Sequence, residues 1–592
     1  MAIDSIPARL FKTAASHPAA PGYFAKSGGE WKSTSWKEYA EQVRTAARAM
    51  IALGLEAGGT VCILGFNRPE WVIFDVACMC CGGAPAGIYT TCSPTEVQYI
   101  VDHAEAQLLL LEDKEQWDKV NAERERLPKL KHVVMMKDAE AIDDPWVMTW
   151  QQFMDKGKEV AASEVEARLE ALQEDQLATF IYTSGTTGPP KGVMLSHKNL
   201  AWTSKVAADV ADLRSTDCSL SYLPLSHIAE QVFTIHGPIT VGASVYFAES
   251  IAKVPDNLKE VQPTIFFAVP RIWEKFHAGI SGKMKDATGV KAKLVSWARG
   301  VGAQVSALRT TGQEPSGLLG LQYKLAHKLI FSKLKPAVGL GRAKFCVTGA
   351  APISQEIMEF FASLDIIVLE VYGQSEDCGP TSFNQPGRTR FGTVGPAYPG
   401  VDIKIAEDGE ILVQGPNVFL GYYKDQAATD ETLIDGWLYS GDLGKLSKDG
   451  FLSITGRKKE IIITAGGKNI APKNIEAALK NAELINEAVV IGDRRKYLTA
   501  LVTLDPDAAP KFAAAHGLDV ATMHTAPPVL AEVQKTVDEI NQLFARVEQV
   551  KKFSVLPRNL TVEDGELTPT LKVKRRIVHE HFAAEIEAMY KE

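Results

Sequence analysis

The feature that most constrains this chain is a segment rich in glycine and hydroxyl side chains, residues 182–197, which reads YTSGTTGPPKGVMLSH. It follows an apolar stretch at residues 177–181 that predicts a buried strand. Glycines let a backbone approach phosphates closely, hydroxyls and amide N–H groups hydrogen-bond their oxygens, and a lysine neutralises their charge. We therefore expect a loop that wraps polyphosphate, formed by Thr183, Ser184, Gly185, Thr186, Thr187, Gly188 and Lys191.

This segment differs from the phosphate loop of nucleotide triphosphatases, which has four residues between its first glycine and a Gly-Lys-Ser/Thr ending. Here Lys191 stands between Pro190 and Gly192, and residues 193–195 predict a strand, not a helix. The phosphates are therefore not expected on a helix N-terminus. The alternative interpretation is an ordinary surface loop, which the length of the segment makes the weaker of the two.

Length and composition limit the class of protein. A chain of 592 residues exceeds one ordinary domain, so we expect two or more hydrophobic cores. A net charge of −8 gives no general attraction to nucleic acid. The absence of an N-terminal signal peptide predicts a reducing cytoplasm, and no apolar run approaches the roughly 20 residues that span a bilayer.

The cysteines favour packing over chemistry. All eight precede residue 379, and their spacings are irregular. Cys78, Cys80 and Cys81 lie in an apolar run without a neighbouring histidine, which indicates buried free thiols more strongly than a metal site.

Alternating helix and strand patterns run through residues 1–175 and 200–280, and they predict parallel sheets with crossover helices. Helical periodicity covers residues 36–53, strands are expected at 60–65 and 86–89, and a turn is expected at 67–70. The sequence SPTE at residues 93–96 is a capping pattern that opens another helix. Residues 392–456 predict antiparallel β-structure, arranged as a small barrel.

A domain boundary is expected near residue 456. Beyond it, strands at residues 460–464, 488–491 and 498–504 and helices at 473–480 and 529–550 indicate a small α+β domain. The predicted fold class is therefore α/β, with a large N-terminal domain of parallel sheets, helices and a small β-barrel at residues 1–456. A small mobile α+β domain follows at residues 457–592.

Residues 281–344 are strongly basic inside an acidic chain, with twelve lysines and arginines against Asp286 and Glu314. Residues 318–334 are amphipathic at helical spacing. A basic amphipathic helix is typical of contact with an anionic membrane surface. The same pattern also fits the solvated face of a helical hairpin, and the sequence leaves both interpretations open.

Five further segments complete a pattern, of which the first two follow predicted strands and the fourth lies at the expected domain boundary. They read TGAAP (348–352), YGQSE (372–376), YSGD (439–442), GRKKE (456–460) and LTPTLKVKRR (567–576). With residues 182–197, their order and spacing resemble the adenylate-forming superfamily, which includes acyl-CoA synthetases, non-ribosomal peptide adenylation domains and firefly luciferase. The sequence LPLSH around His227, the basic insertion and the ending LTPTLK are similar to long-chain fatty acyl-CoA synthetases, including the bubblegum type.

The resemblance implies a role for each matching residue. Lys572 is the implied catalytic lysine, with Lys574 as the alternative register, and Thr570-Leu571 replaces the usual Ser-Gly before it. His227 lies beside the acyl carboxylate or is a neutral packed histidine, and Lys459 is the hinge of the C-terminal domain. Thr183 and Glu376 are placed for Mg²⁺, which prefers hard oxygen ligands. The remaining implied contacts to ATP or AMP are Gly349, Ala350, Ala351, Tyr372, Gly373, Gln374, Ser375, Asp442 and Arg457.

The implied activity is AMP-forming ligation of a long-chain fatty acid to coenzyme A, with Mg²⁺ as cofactor and ATP and coenzyme A as co-substrates. Medium-chain or aryl acids, and a ligase that stops at acyl-adenylate, remain the nearest alternatives. A non-enzymatic lipid-binding protein would not need Lys191, Glu376, Asp442, Arg457 and Lys572 together, and a kinase would need other motifs. The expected partners are these small molecules, for a monomer or homodimer in the cytoplasm with peripheral membrane contact left open.

Overall fold

The computed structural model describes residues 3–183, 189–466, 468–568 and 571–591. The predicted contacts Ser184, Gly185, Thr186, Thr187 and Gly188 lie outside the described residues. In the C-terminal segment, Thr570 also lies outside them, whereas Leu571 and Lys572 are described.

The strands are numbered along the chain. They are β1 (Pro21–Ser27), β2 (Glu30–Ser35), β3 (Thr60–Leu64), β4 (Ala84–Ile88), β5 (Leu108–Leu111), β6 (His132–Met135), β7 (Val147–Thr149), β8 (Leu177–Thr183), β9 (Lys191–Ser196), β10 (Cys218–Ser221), β11 (Ser244–Phe247), β12 (Ile265–Ala268), β13 (Phe345–Thr348), β14 (Val368–Tyr372), β15 (Ser382–Phe383), β16 (Asp402–Ile405), β17 (Glu410–Gln414), β18 (Gly421–Tyr422), β19 (Leu433–Ile434), β20 (Trp437–Leu446), β21 (Leu452–Arg457), β22 (Ile462–Ile463), β23 (Asn469–Ile470), β24 (Ile485–Ile491), β25 (Leu498–Leu504) and β26 (Val550–Val555).

The α-helices are numbered in the same way. They are α1 (Ile6–Ser16), α2 (Trp36–Ala52), α3 (Pro69–Cys80), α4 (Pro94–His103), α5 (Lys114–Ala122), α6 (Trp150–Lys156), α7 (Ala162–Ala171), α8 (His197–Val210), α9 (Ile228–Gln231), α10 (Gly237–Val241), α11 (Val254–Val261), α12 (Pro270–Lys285), α13 (Gly289–Arg309), α14 (Gly317–Ala326), α15 (Ser332–Ala337), α16 (Gln355–Ser363), α17 (Gln426–Thr432), α18 (Pro472–Leu479), α19 (Ala509–His516), α20 (Pro527–Asn541), α21 (Arg575–His581) and α22 (Ala583–Tyr590).

Three sheets carry the parallel strands that the alternating pattern predicted. The largest has the order β18-β9-β8-β4-β3-β5-β6-β7, in which β8 to β7 are parallel and β9 and β18 are antiparallel additions. The other two have the orders β10-β11-β1-β2 and β12-β13-β14-β15. Each of them ends in one antiparallel pair, so the prediction of parallel sheets with helical crossovers is confirmed.

Local capping signals explain where several helices begin. Ser35 and Glu38 form a capping box on α2, and Ser93 and Glu96 form the predicted one on α4. The turn expected at residues 67–70 is shorter than predicted, because Pro69 already begins α3. Proline favours this position since its fixed φ suits the first helical residue and its missing N–H costs nothing there.

The antiparallel region has the order β16-β17-β20-β19, with β21 paired to the other half of β20. Its antiparallel character is as predicted. The pairings of the described residues form an open path, so an open sheet replaces the expected barrel. One edge of β20 pairs with two short strands in turn. Trp437 and Leu438 pair with β19, and residues 442–446 pair with β21, with an irregularity between Leu443 and Gly444.

Residues beyond β21 pack around hydrophobic cores of their own. One core joins α18, α19 and α20 to the sheet β24-β25-β26, and a second joins α21 and α22 to the opposite face of that sheet. The helix predicted at residues 529–550 ends at Asn541 instead. The Asn541 side chain accepts from the Val550 N–H and donates to the Val550 carbonyl, both at 2.9 Å, and so closes a loop into β26.

The burial of the cysteines agrees with the sequence. All eight cysteines are free and buried, and burial raises the pKa of Cys81 to about 12. Among the described residues, none of the helices combines the length and the apolar character required to cross a bilayer.

Two glycines of α13 provide a test of the packing beneath the basic region. A Cβ at Gly302 would lie 2.2 Å from the Ser363 carbonyl oxygen of α16, whereas a Cβ at Gly300 meets nothing within 4 Å. We expect Gly302→Ala to destabilise the fold by about 1–3 kcal/mol through overpacking. Gly300→Ala should leave stability unchanged or raise it by about 1 kcal/mol, because alanine favours a helix. Thermal unfolding followed by circular dichroism measures both, and equal effects of the two substitutions would contradict this packing.

Candidate active site

The phosphate-loop segment connects two antiparallel strands. Residue Thr183 at the end of β8 pairs with Lys191 at the start of β9. The predicted strand after the loop is therefore confirmed, and no helix begins there. Lys191 Nζ lies 4.7 Å from the centre of the Tyr422 ring and 3.5 Å from Asp425 Oδ2. These contacts hold the lysine at the base of the loop.

Aromatic side chains pack against the hairpin of β8 and β9. Gly192 packs so closely on Tyr182 and Tyr423 that a Cβ there would lie 3.3 Å from Tyr182 Cζ. The Tyr182 hydroxyl in turn lies 2.9 Å from His103 Nδ1. Any side chain at position 192 would press on these rings, so glycine suits this position.

Glu376 stands in the short helical turn Ser375–Asp377, directly after β14. The Tyr422 hydroxyl donates to Glu376 Oε1 at 2.7 Å. Burial and the nearby Glu376 carboxylate raise the pKa of Tyr422, so its hydroxyl stays protonated and keeps donating. Tyr422 thus links Lys191 to Glu376, a role that no motif in the sequence indicated.

The Tyr372 side chain is fixed through Asp442. Its hydroxyl donates to Asp442 Oδ2 at 2.9 Å, and Arg457 Nε donates to Asp442 Oδ1 at 3.1 Å. Asp442 and Arg457 face each other in the β20–β21 register, which brings two distant segments to one point. The backbone at Gly373 admits no side chain, because a Cβ would lie 1.5 Å from the Gly379 oxygen. The Gln374 N–H donates to Asp377 Oδ1 at 2.7 Å, and Ser375 is buried.

Residues Gly349, Ala350 and Ala351 form the loop after β13. The glycine is required for packing, because a Cβ would lie 2.7 Å from Val371 Cγ1 on β14. Ala350 adopts the left-handed region, with φ +66°. Ala350 and Ala351 are both exposed, and because β13 and β14 are parallel neighbours, this loop lies at the same sheet edge as Tyr372.

His227 caps the short helix α9. Its Nδ1 accepts from the Ala229 N–H at 3.1 Å, so the neutral ring carries its proton on Nε2. Burial, followed by the positive charge of Lys572, lowers the pKa of His227 to about 4. A neutral histidine is therefore present at physiological pH, and its Nε2–H is available as a donor.

Glu230 lies in α9, the short helix that His227 caps, and no sequence motif predicted a role for it. Its Oε1 accepts from Thr234 Oγ1 at 2.8 Å, Ser221 Oγ at 2.9 Å and the Tyr222 N–H at 3.1 Å. Desolvation raises the pKa of this buried carboxyl to about 8. Its position three residues after His227 on a short helix was the only signal, and it was not sufficient to distinguish Glu230 from a surface glutamate.

Lys572 lies at the tip of a hairpin whose sides join at the Leu567–Val573 bridge. Its N–H donates to Thr568 Oγ1 at 3.0 Å. Although its side chain remains accessible to solvent in the cleft, the surrounding protein and the charges of Arg457 and Lys473 lower the pKa of Lys572 to about 8. The charge of Lys572 in turn lowers the pKa of His227, so this lysine lies within electrostatic range of both His227 and the Asp442–Arg457 pair.

The backbone before Lys572 keeps a conformation that suits glycine, although the residue at position 571 is leucine. Leu571 has φ +59°, in the left-handed region that glycine adopts without strain. A leucine there costs about 1–2 kcal/mol. Lys574 instead precedes α21, and its N–H donates to the Glu566 carbonyl.

Lys459 is exposed in the short helical turn Lys458–Glu460 and is not brought into the cluster. Its neighbour Lys458 is held by Asp408 Oδ2 at 2.6 Å and Glu410 Oε2 at 2.7 Å. On the other side, Glu460 pairs with Lys473 at 3.1 Å. The exposed lysine thus lies between two ion-paired neighbours at the point where the chain leaves β21.

Ionic contacts join α12 to the C-terminal sheet. One guanidinium nitrogen of Arg271 donates at 2.7 Å both to Asn486 Oδ1 and to Asp505 Oδ2. Lys275 lies 3.4 Å from Asp507. These contacts join α12 to the part of the chain that carries Lys572.

The oxygen donors at this site suit a magnesium ion that is held mainly by phosphates. The described residues contain no cluster of three or more histidine, cysteine or acidic side chains that could hold a metal alone. One carboxylate, Glu376, and one hydroxyl, Thr183, match the sparse protein ligation that Mg²⁺ uses beside a nucleotide.

Comparison with known proteins identifies the family. Residues 10–423 match the family described as AMP-binding enzyme, and residues 459–592 match the AMP-binding enzyme C-terminal domain. The chain belongs to the AMP-binding enzyme family. Adenylation structures share the fold of this AMP-binding enzyme: an anthranilate CoA ligase, AuaEII, has a TM-score of 0.72 at 19% identity, with 98% of each chain covered. The adenylation domain of a Mycobacterium chelonae carboxylate reductase has a TM-score of 0.74 at 19% identity, covering 99% of this chain and 91% of that chain.

Two relatives align with this AMP-binding enzyme over most of its length. A Xenopus laevis protein named long-chain-fatty-acid–CoA ligase ACSBG2 is 38% identical, covering 96% of this chain and 81% of its own. A Mycobacterium tuberculosis protein named long-chain-fatty-acid–CoA ligase FadD15 is 35% identical, covering 99% and 97%. The predicted membership of the adenylate-forming superfamily and the predicted α/β fold class are confirmed.

The lowered pKa of Lys572 predicts unusual reactivity in this AMP-binding enzyme. Only the neutral amine is nucleophilic, so acylation of Lys572 should rise with pH around a midpoint near 8, well below the ordinary lysine value of 10.5. ATP should protect the residue and raise the midpoint, because phosphate charge favours the ammonium form. Peptide mass spectrometry after brief acetylation at a series of pH values measures this. A midpoint near 10.5 in the enzyme without nucleotide would contradict the geometry of the cleft.

Proposed function

We propose that this AMP-binding enzyme is an AMP-forming ligase that activates a long-chain fatty acid with ATP and then transfers the acyl group to coenzyme A. The observation that carries the proposal is the convergence of Lys572 with His227, Asp442 and Arg457 in one cleft. The names of the relatives at 38% and 35% identity support the same reaction and the long-chain substrate.

In the first half-reaction a fatty carboxylate attacks the α-phosphorus of ATP, and pyrophosphate leaves. The two reactants are both anions, so the main task of the protein is to neutralise charge and to align the attack. Lys191 at the base of the loop and Lys572 in the cleft supply positive charge. The neutral His227 donates from Nε2 to the carboxylate and orients it without forming an ion pair that would weaken its nucleophilicity.

The remaining site residues bind the nucleotide. Thr183, Ser184, Gly185, Thr186, Thr187 and Gly188 would wrap its phosphates. Adenine would stack on the Tyr372 ring, beside Gly349, Ala350, Ala351, Gly373, Gln374 and Ser375. Asp442 would accept from the ribose hydroxyls while Arg457 holds it in place. Thr183 and Glu376 would hold Mg²⁺, which supplies additional charge neutralisation on the phosphates when bound.

In the second half-reaction the thiol of coenzyme A attacks the acyl carbon, and AMP leaves. The mixed anhydride already carries the activated acyl group, so no protein nucleophile is needed. We divide the chain into domains at residues 1–456 and 457–592, with Lys459 as the hinge. Rotation about this exposed lysine would break the Arg271 contacts to Asn486 and Asp505 and withdraw Lys572 from the cleft.

Half-reaction assays separate the roles of Lys572 and Lys459. Lys572→Ala should reduce adenylate formation by at least about 100-fold, because a charge that acts in the transition state is lost. It should leave thioester formation from supplied acyl-adenylate largely intact. Lys574→Ala is the matched control and should spare adenylation, whereas Lys459→Pro should spare adenylation and slow the thiol step. Equal loss of both half-reactions in Lys572→Ala would contradict the assignment of Lys572 as the catalytic lysine of adenylation.

A chain-length series tests the substrate class. Acids from C2 to C20 are offered with ATP, Mg²⁺ and coenzyme A, and thioester and pyrophosphate are measured. We expect turnover to be greatest for the long-chain acids. A maximum at medium-chain or aryl acids would select the first alternative, and pyrophosphate release without thiol-dependent AMP release would select the adenylate-only ligase. A protein that binds these acids but leaves ATP intact would be the non-enzymatic lipid carrier.

The proposal also covers the cellular compartment and the oligomeric state of the enzyme. Eight free buried thiols favour a reducing compartment, and we place the enzyme in the cytoplasm. It would act there on small molecules as a monomer or a homodimer.

A further inference from the structure

Helix α14 and the helical turn after it carry apolar side chains on two different faces. The inner face packs in a hairpin against α13, in a small core completed by Phe331. The α14 side of that core consists of Leu319, Tyr323, Ala326 and Ile330. This face satisfies the helical periodicity seen in the sequence, so the rest of the helix surface would be expected to be polar.

The outer face is instead a row of leucines, which we call the leucine stripe: Leu318, Leu321, Leu325 and Leu329. Their spacing of three, four and four residues places them along one side of the helix. The first three are largely unpacked in the fold, because Leu318 is 72% exposed, Leu321 65% and Leu325 50%, and Leu329 is 37% exposed. A single exposed leucine is ordinary, but four in a row form an apolar strip that water does not favour.

Lysines without ion pairs lie in the same basic region of the chain as the leucine stripe. Some basic groups of residues 281–344 are satisfied within the fold: Arg309 and Lys335 pair with Asp365, and Lys344 pairs with Asp217. Seven lysines of this region form no ion pair among the described residues. They are Lys283, Lys285, Lys291, Lys293, Lys324, Lys328 and Lys333. Lys324 and Lys328 lie within the span of the stripe itself, in a chain whose net charge is −8.

We propose that the leucine stripe and its lysines dock this enzyme on the surface of an anionic lipid bilayer. Leucine side chains would enter the boundary between headgroups and acyl chains, while the lysines extend to the phosphates. Complementary charge favours a bilayer over an apolar protein groove, since flexible unpaired lysines along an apolar strip suit a fluid anionic surface. The choice also rests on the proposed function, because long-chain acids partition into bilayers and the enzyme would take its substrate there.

The alternative left open by the sequence, a solvated face of a helical hairpin, explains only part of the structure. The hairpin of α13 and α14 is present. A solvated face, however, needs polar residues at the positions that the leucines occupy. The lysines alone fit both interpretations, and the leucine stripe is the observation that favours the bilayer.

Co-sedimentation with vesicles tests the docking surface in the full-length chain. One probe is a phosphatidylcholine vesicle that contains about one third phosphatidylglycerol and is therefore anionic. The other is a vesicle of phosphatidylcholine alone. We expect binding to the anionic vesicles that weakens with salt. Leu321→Ser/Leu325→Ser should weaken it about tenfold or more, because each substitution removes apolar area that the bilayer would bury. Lys324→Glu/Lys328→Glu should also weaken binding and reduce its salt dependence.

A matched control is available in the C-terminal part of the chain. Leu543 is 74% exposed and Val547 51%, so Leu543→Ser/Val547→Ser removes similar apolar surface from a different place. This control should bind vesicles as the unchanged protein does. Acid-dependent pyrophosphate release with a water-soluble acid, without vesicles, should be equal in all variants, which separates failure of docking from failure of the proposed function.

Three results would overturn the proposal. The first is an unchanged protein that does not bind anionic vesicles at low salt. The second is equal vesicle binding by the stripe variant and the control variant. The third is a stripe variant that changes only the oligomeric state in analytical ultracentrifugation, which would make the leucines a contact between copies of the chain.

Discussion

The structure depends on holding several cations close together before any phosphate arrives. Like charges repel, and the repulsion is strongest where protein excludes water. Most cations at this site have an acidic partner: Lys191 has Asp425, Arg457 has Asp442, and Lys473 has Glu460. Lys572 forms no such ion pair among the described residues, and it is the one whose pKa falls to about 8. Among these four cations, Lys572 is therefore the one whose charge no carboxylate of the described chain balances directly.

The sheets bring these partners together from distant parts of the sequence. Loops that follow β8, β13 and β14 carry three of the predicted segments, and β13 and β14 are parallel neighbours. Their carboxyl ends therefore place Gly349 beside Tyr372, as open α/β sheets generally do at binding crevices. The antiparallel pair β20–β21 supplies Asp442 and Arg457 from the other side. Close backbone approach at Gly349 and Gly373 is what makes this arrangement possible.

Motifs with strong local signals were the predictable part of this molecule. The strand, loop and strand around Lys191, the capping box at Ser93 and the strands before Gly349 and Tyr372 follow from short stretches of sequence. Tyr422 and Glu230 could not be found in this way, because each acts through partners that only the fold brings near. The end of α20 at Asn541 depends on a side-chain contact to Val550, and barrel closure depends on strand pairings that no periodicity encodes. The leucines of α14 fit a helical pattern, but the sequence does not say which of them find a core.

The contact between Arg271 and Asp505 would affect the free-energy difference between the two arrangements of the proposed domain rotation. Asp505 is almost fully buried when Arg271 covers it, so separation of the two parts of the chain would expose both charges to water at once. Hydration of the freed ions offsets much of the attraction that is lost, and the net difference between the two orientations is thereby kept small. The proposed rotation about Lys459 would benefit from such near-equality, since neither arrangement would become a thermodynamic trap.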